Sequence, residues 1–100
     1  MLEKHKPLRL HGDKLRKLNE KIYNRDKGCC VLCGAWVPEG TKMHHIIFKS
    51  HGGSDTEKNG VTLCQTEKNC HAMAHGTEAK AIHRKLEKYI YDYYFNKNGV

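Results

Sequence analysis

Apolar side chains recur at helical spacing near both ends of the chain. In the N-terminal part, Leu15, Leu18 and Ile22 lie three or four residues apart, and lysines and arginines fill the positions between them. This spacing predicts an amphipathic helix over residues 13–26, ending before Gly28. A second stripe predicts a longer helix over residues 78–94, and its apolar members are Ile82, Leu86, Tyr89 or Ile90, and Tyr93.

The middle of the chain has no such stripe and is divided by glycines and prolines. Residues 35–43 contain the turn sequence Pro38-Glu39-Gly40 between short apolar pieces, which predicts a hairpin leading into a strand over residues 44–48. Residues 49–60 are polar and glycine-rich and predict an exposed loop, after which residues 61–63 return to extended structure. A short helix over residues 70–75 is predicted to stop at Gly76. The pattern therefore predicts an α+β domain with helices on either side of an irregular centre.

Composition limits the core and indicates the partner. One hundred residues make a single domain (1–100), and only 38% of them are apolar, so a bound metal would help the chain fold. The formal charge is +7 and lies mainly in the two terminal thirds. That excess favours a polyanion such as DNA as the partner, although basic residues that merely solvate helix faces remain the alternative. The sequence contains no apolar run long enough to span a membrane, and we expect no membrane partner.

Five cysteines indicate a metal site more than disulfides. Cys30-x2-Cys33 and Cys64-x5-Cys70 form two pairs, and thiolates in such pairs are typical ligands of a closed structural zinc site. The odd count and the polar N-terminus, which lacks a signal sequence, favour a reducing, cytoplasmic setting. Cys29 is the remaining thiol and is an alternative ligand to Cys30.

A group of histidines lies between and after the cysteine pairs. His44 and His45 are adjacent, and His71 and His75 follow the last cysteine four residues apart, on one face of the predicted short helix. Imidazoles suit a divalent ion that keeps positions open for water or phosphate oxygens. The remaining histidines are interpreted as solvated or hydrogen-bonded side chains, and they are His5, His11, His51 and His83.

The order of these motifs resembles the HNH endonuclease family, in the branch with a four-cysteine zinc knuckle. The resemblance covers residues 25–75, about half the chain. It rests on Arg25-Asp26-x-Gly28-x-Cys30-x2-Cys33-Gly34, His44-His45-Ile46, Gly52-Gly53, Asn59, Leu63-Cys64 and Cys70-His71-x3-His75. One departure is the five-residue spacing from Cys64 to Cys70, where the family usually has two. The resemblance implies a small ββα-metal (His-Me finger) core over about residues 25–76, with a zinc knuckle and flanking helices.

The resemblance also implies roles for individual residues. His44 and His71 would hold the catalytic metal, with His75 as a third ligand or a phosphate contact, and His45 would be the general base. Asn59 would brace the loop beside His45. Structural zinc would be bound by four thiolates, from Cys30, Cys33, Cys64 and Cys70. The implied reaction is hydrolysis of DNA phosphodiester bonds with Mg²⁺ or Mn²⁺, or with Ni²⁺ or Zn²⁺, and without a small-molecule cofactor.

Two points stay open at this stage. Neighbouring side chains on a flat strand point to opposite faces, so His44 and His45 can serve one site only if the strand bends, bulges or ends there. The rival function is a non-catalytic zinc-knuckle module that binds nucleic acid, while a redox or regulatory zinc protein would leave the basic charge unexplained. Both a monomer and a homodimer fit the sequence.

Overall fold

A short two-stranded sheet lies among three helices. The computed structural model describes residues 6–65 and 69–96. The helices are α1 (Gly12–Arg25), α2 (Cys70–Met73) and α3 (Ala79–Tyr91), and the strands are β1 (His44–His45) and β2 (Gly60–Val61). The strands are antiparallel, with His44 opposite Val61 and His45 opposite Gly60. The architecture is α+β, as the sequence predicts.

The N-terminal helix matches its apolar pattern closely. Helix α1 covers Gly12–Arg25, one residue earlier at each end than predicted, and it buries Ile22. The chain then turns through Lys27 and Gly28, whose φ angles are 59° and 69°. A Cβ atom at Gly28 would lie 3.0 Å from the Tyr23 hydroxyl oxygen, so the turn favours glycine both in conformation and in space. The hydrophobic stripe thus specifies the helix, and Gly28 allows the tight turn that follows it.

A buried ion pair joins α1 to the sheet and to α3. The Arg25 guanidinium lies 2.7 Å from Asp26 and donates to the backbone oxygen of Gly60 at 2.7 Å. Asp26 in turn accepts from the Thr62 amide and from the Tyr89 hydroxyl. Burial of Arg25 opposes its charge, but the bonds to Asp26 outweigh this effect and raise its pKa. Arg25 and Asp26 therefore position three elements, and Arg25 is directed away from solvent.

The predicted strand and hairpin of the central region are wrong in their extent. The strand predicted over residues 44–48 ends at His45, because the chain bends at residues 46–47 and enters a 3-10 turn at Lys49–His51. Residues 39–40 form a turn, as predicted. The antiparallel pairing lies before this turn, where Cys29 forms a β-bridge with Trp36 and the Val37 amide donates to the Gly28 carbonyl. The hairpin thus surrounds Cys30 and Cys33.

The core lies between the sheet and α3. Helix α3 buries Ile82, Leu86 and Ile90, which confirms the C-terminal stripe, and it continues as a π-helical turn over Asp92–Asn96. Three of the cysteines belong to this same buried cluster. Trp36, by contrast, is 71% exposed. Among the described residues, no helix has the length and apolar character needed to cross a membrane.

Candidate metal centres and catalytic groove

Four sulfur atoms converge at the base of the hairpin. The Sγ atoms of Cys30, Cys33, Cys64 and Cys70 all lie within 4.8 Å of one another. The Sγ atoms of Cys33 and Cys64 are 3.7 Å apart. Sulfurs that bind one tetrahedral zinc ion at about 2.3 Å are themselves about 3.8 Å apart. The spacing of the thiols therefore fits a structural metal site closed by four protein ligands.

The structure also decides which thiols belong to this group. Within the described part of the chain, Cys30 is a member and the alternative, Cys29, is not. Cys70 joins Cys64 despite their wide spacing, since the Cys70 amide lies 3.4 Å from the Cys64 sulfur and the His71 amide donates to the Cys64 carbonyl at 3.0 Å. Part of the connecting segment, residues 66–68, lies outside the described residues.

Backbone amides prepare one of the thiols for ionisation. Burial opposes a charge on Cys30, but hydrogen bonds from the backbone of Cys33, Cys64 and Leu32 outweigh it and lower the Cys30 pKa to about 7. Burial raises the pKa of Cys64 and Cys70. A thiolate at Cys30 is a ready ligand, whereas burial disfavours the anions of Cys64 and Cys70, which a cation among the four sulfurs would stabilise.

A second metal-ligating group lies where β1 faces α2. Ligand nitrogens of His44, His71 and His75 lie within 4.8 Å of one another. Their ring centroids are 5.1 Å apart from His44 to His71, 5.1 Å from His44 to His75, and 4.9 Å from His71 to His75. Helix α2 places His71, and the turn after the helix places His75. Three converging imidazoles fit a divalent ion that keeps further positions open.

Burial and an aromatic wall keep His44 neutral. Burial, together with the nearby imidazoles of His71, His83 and His75, lowers the pKa of His44 to about 3. Phe48 covers one side of the group, since its ring stacks on His75 at 4.7 Å between centroids. Neutral imidazole is the form that binds metal, so the ring is in the correct protonation state at physiological pH.

The early end of β1 resolves the orientation of the two adjacent histidines. His44 is buried and contacts the rings of α2 and its following turn, while His45 is half-buried and turns toward the loop at residue 55. Both nonetheless line one groove of about 360 Å³, together with Met43, Phe48, Lys49, Ser50, His71 and His75. The strand ends where the two side chains must diverge.

His45 is held by a carboxylate. Nε2 of His45 lies 2.8 Å from Oδ1 of Asp55, whose side chain is only 3% exposed. Burial alone would raise the Asp55 pKa, but the bond from His45, the Leu10 amide and the charges of His45 and Arg9 lower it. Because a carboxylate only accepts, His45 carries a proton on Nε2, and in the neutral ring the lone pair is on Nδ1. The carboxylate thus fixes the orientation of the His45 ring.

The segment before α1 fixes Asp55 in place. The Leu10 amide donates to Asp55 Oδ2 at 2.9 Å, and the Asp55 amide donates to the Leu8 carbonyl at 2.9 Å. The Arg9 guanidinium donates to the carbonyls of Lys49 and Gly53. Residues 8–10 thus cross the loop that lies beside the groove and join its two ends.

Asn59 braces the same loop, without a direct bond to His45 among the contacts described. Its side-chain oxygen accepts from the Ile47 amide at 2.8 Å, and its nitrogen donates to the carbonyls of Ile47 and Ser54. A Cβ atom at Gly53 would collide with the Ile47 carbonyl and lie 2.9 Å from the Asn59 nitrogen. The glycine therefore allows the loop to pack against the asparagine.

Comparison with known proteins identifies the central part of this arrangement. The sequence model of the HNH endonuclease family matches residues 30–77, which include both metal-ligating groups, His45 and Asn59. Over residues 30–77 the chain therefore resembles an HNH endonuclease domain. In this region the four cysteines lie in or against the hydrophobic core, and the three histidines line the open groove.

One curated relative, a longer protein, aligns with about half of this chain. The chain is 39% identical over 61 residues to the "Type IV methyl-directed restriction enzyme EcoKMcrA" of Escherichia coli (strain K12). The alignment covers 54% of this chain and 21% of the relative. The chain therefore spans about a fifth of that relative's length.

Several residues that shape the HNH groove were absent from the sequence-based candidate set. Asp55 holds the ring of His45, Phe48 covers the imidazoles, and Arg9 binds the loop. His83 is hydrogen-bonded, which is one of the two states that the sequence predicts, and one of its partners is His44, with the two Nε2 atoms 3.0 Å apart. Arg9 and His83 lie outside residues 30–77, so a domain motif could not identify them.

Proposed function

We propose that this chain is a metal-dependent endonuclease that hydrolyses DNA phosphodiester bonds. The observation that carries the proposal is the pairing of His45 with Asp55 in the groove that the His44, His71 and His75 side chains also line. A zinc module that only binds nucleic acid needs neither an oriented base nor a second group of metal ligands. The HNH domain and the alignment with a restriction enzyme support the same reaction.

His45 is the proposed general base. Its Nδ1 removes a proton from a water molecule as the water oxygen attacks phosphorus, and Asp55 stabilises the imidazolium that results. The new bond is between water oxygen and phosphorus, and the bond that breaks joins phosphorus to the 3′ oxygen. The 3′ oxygen takes a proton from solvent water as it leaves, so the products are a 5′-phosphate and a 3′-hydroxyl. Asn59 acts indirectly, by holding the loop against which His45 and Asp55 are placed.

The histidine group is the proposed site of the catalytic ion. His44, His71 and His75 would bind it, and when bound it would supply a Lewis acid for a phosphate oxygen and the departing 3′ oxygen. Mg²⁺ and Mn²⁺ are the proposed ions, and imidazole ligands also accept Ni²⁺ or Zn²⁺. Zn²⁺ is the proposed ion at Cys30 and its three partners, where it supports folding.

Positive charge on the chain supports the substrate class. The net charge of +7 attracts a polyanion, and Lys49 and Ser50 line the groove as an ammonium and a hydroxyl suited to phosphate oxygens. These groups contact a backbone without reading its sequence. We therefore propose that this domain cleaves the DNA backbone. The methyl-directed selectivity in the relative's name is not part of the proposal.

The test is cleavage of supercoiled plasmid by the zinc-loaded chain with Mg²⁺, Mn²⁺ or Ni²⁺, and with EDTA. We expect metal-dependent nicking, 5′-phosphate ends, and loss of nicking in His45→Ala. The matched control is His11→Ala, which removes an exposed histidine outside the groove. A folded, zinc-loaded native chain that shifts DNA on a gel but cuts it with none of these ions would support the binding module instead.

A further inference from the structure

Helix α3 places a fourth histidine, His83, beside the group formed by His44, His71 and His75. Nε2 of His83 lies 3.0 Å from Nε2 of His44, and the two rings stack with centroids 5.2 Å apart at an angle of 28°. His83 is half-buried and also meets the edge of Phe48. It does not belong to the group whose ligand nitrogens lie within 4.8 Å of one another, which consists of His44, His71 and His75 in the described part of the chain.

The hydrogen bonds of His83 determine which of its nitrogens carries the proton. Nδ1 lies 2.7 Å from the Ala79 carbonyl oxygen, one helical turn earlier. A carbonyl only accepts, so Nδ1 of His83 is the donor, and in the neutral ring Nε2 presents a lone pair. Two ring nitrogens 3.0 Å apart need one donor and one acceptor. His44 must therefore carry its proton on Nε2 and donate it to His83.

This arrangement leaves one nitrogen of His44 available. With the proton on Nε2, the lone pair of the neutral His44 ring is on Nδ1. Metal-binding histidines commonly donate their other N–H to a fixed acceptor, which sets both the tautomer and the direction of the ring. A carboxylate or carbonyl is the usual acceptor, and here the position is taken by an imidazole that is itself fixed by the Ala79 carbonyl.

We propose that His83 is a positioning residue that fixes the Nε2–H tautomer of His44, so that His44 binds the divalent ion through Nδ1. The inference rests on the proposed function for the presence of that ion. It extends the metal centre beyond residues 30–77 to α3, which carries His83 through the packing of Ile82 and Leu86 on the core. The docking of α3 then determines how well the metal site is preformed.

The decisive experiment is NMR of the native chain with ¹⁵N-labelled histidines and occupied cysteine sites, before and after a further equivalent of Zn²⁺. We expect the Nδ1 resonance of His44 to shift to the range of a metal-bound nitrogen, while Nε2 keeps its proton. Metal binding by His44 through Nε2, or a metal-bound nitrogen on His83, would overturn the inference. A spectrum in which no histidine responds to the ion would instead contradict the metal site of the proposed function.

Metal affinity of three variants supplies a second readout. His83→Leu removes the acceptor and should weaken Zn²⁺ binding at the histidine site by about tenfold or more. In His83→Gln the amide oxygen accepts the same bond, so most of the affinity should return. His11→Leu is the control and should bind as the native chain does. Native affinity in His83→Leu, or equal losses in the Leu and Gln variants, would overturn the proposal.

Discussion

The cysteine group and the histidine group both gather metal-binding atoms, but they differ in their surroundings. Cys30, Cys64 and Cys70 are at most 3% exposed and belong to the main hydrophobic cluster. The histidine group lines an open groove, and His75 is exposed. A site enclosed by the core has no room for substrate, whereas an open site can exchange water and phosphate. We therefore expect the cysteine group to hold the fold and the histidine group to carry out the chemistry.

The largest expected effect follows from breaking the cysteine group. In Cys33→Ser the zinc site loses a ligand, and apparent zinc binding in small domains is worth about 10 kcal/mol, as much as the whole stability of many domains. We expect loss of native circular dichroism and of bound zinc. Cys29→Ser is the matched control, because Cys29 is adjacent to a ligand but outside the group, and it should remain folded. If both variants lost zinc and unfolded, or if both kept zinc and stayed folded, the assignment of Cys33 and not Cys29 as a zinc ligand would be contradicted.

Removing the base should abolish cleavage without unfolding the chain. We expect His45→Ala to reduce the cleavage rate by about 100-fold or more, since general-base catalysis contributes that much. Zinc content, circular dichroism and affinity for the catalytic ion should stay close to native, because His45 faces Asp55. His44→Ala is the contrasting variant, and its main defect should be metal affinity. If excess metal restored the cleavage rate of His45→Ala, the role of His45 as general base would be contradicted.

A smaller loss is expected when the support of His45 is weakened. Asp55→Asn removes the charge that stabilises the imidazolium, and we expect the cleavage rate to fall by about tenfold or more at saturating metal. Arg9→Ala loosens the loop through its bonds to Lys49 and Gly53, so its loss should be in the same direction and smaller. Arg16→Ala removes an exposed charge on α1 and controls for weaker attraction to DNA. Equal losses in the two arginine variants would leave Arg9 with no specific role.

The smallest effect on the cleavage rate is expected from a substitution of Asn59. Asn59→Ala removes three hydrogen bonds to Ile47 and Ser54, each worth about 1 kcal/mol. We expect lower stability in urea and a slower cleavage rate, with little change in metal affinity. Asn59→Asp keeps the bond from the Ile47 amide but not the two donated bonds, so it should fall between native and Ala. A defect confined to metal affinity would place Asn59 with the ligands instead.

Much of the difference between the cysteine group and the histidine group could be predicted from the spacing of residues along the chain. The thiol pairs specify the cysteine group because each pair is local, and Leu15, Leu18 and Ile22 specify α1 for the same reason. The x5 spacing after Cys64 does not prevent Cys70 from joining, since the His71 amide bonds back to the Cys64 carbonyl. Short-range patterns were sufficient wherever the partners of a residue are close in sequence.

The remaining features depend on contacts between distant segments. Asp55 holds His45 only because residues 8–10 fix the loop, and His83 meets His44 only because α3 packs across the sheet. The strand over residues 44–48 was predicted too long because Ile46 and Ile47 favour extended structure, while Asn59 draws the Ile47 backbone into the loop. No local pattern contains this information, and it becomes visible only when the chain is folded.

The most direct test of this division is gentle chelation followed by metal counting, circular dichroism and plasmid cleavage on one sample. We expect weakly held metal to leave the histidine group while one zinc per chain and the native spectrum remain. Cleavage should stop and then return when Mg²⁺ or Mn²⁺ is added. Cleavage that continues with only the cysteine-bound zinc, or a fold that is always lost together with activity, would contradict the account.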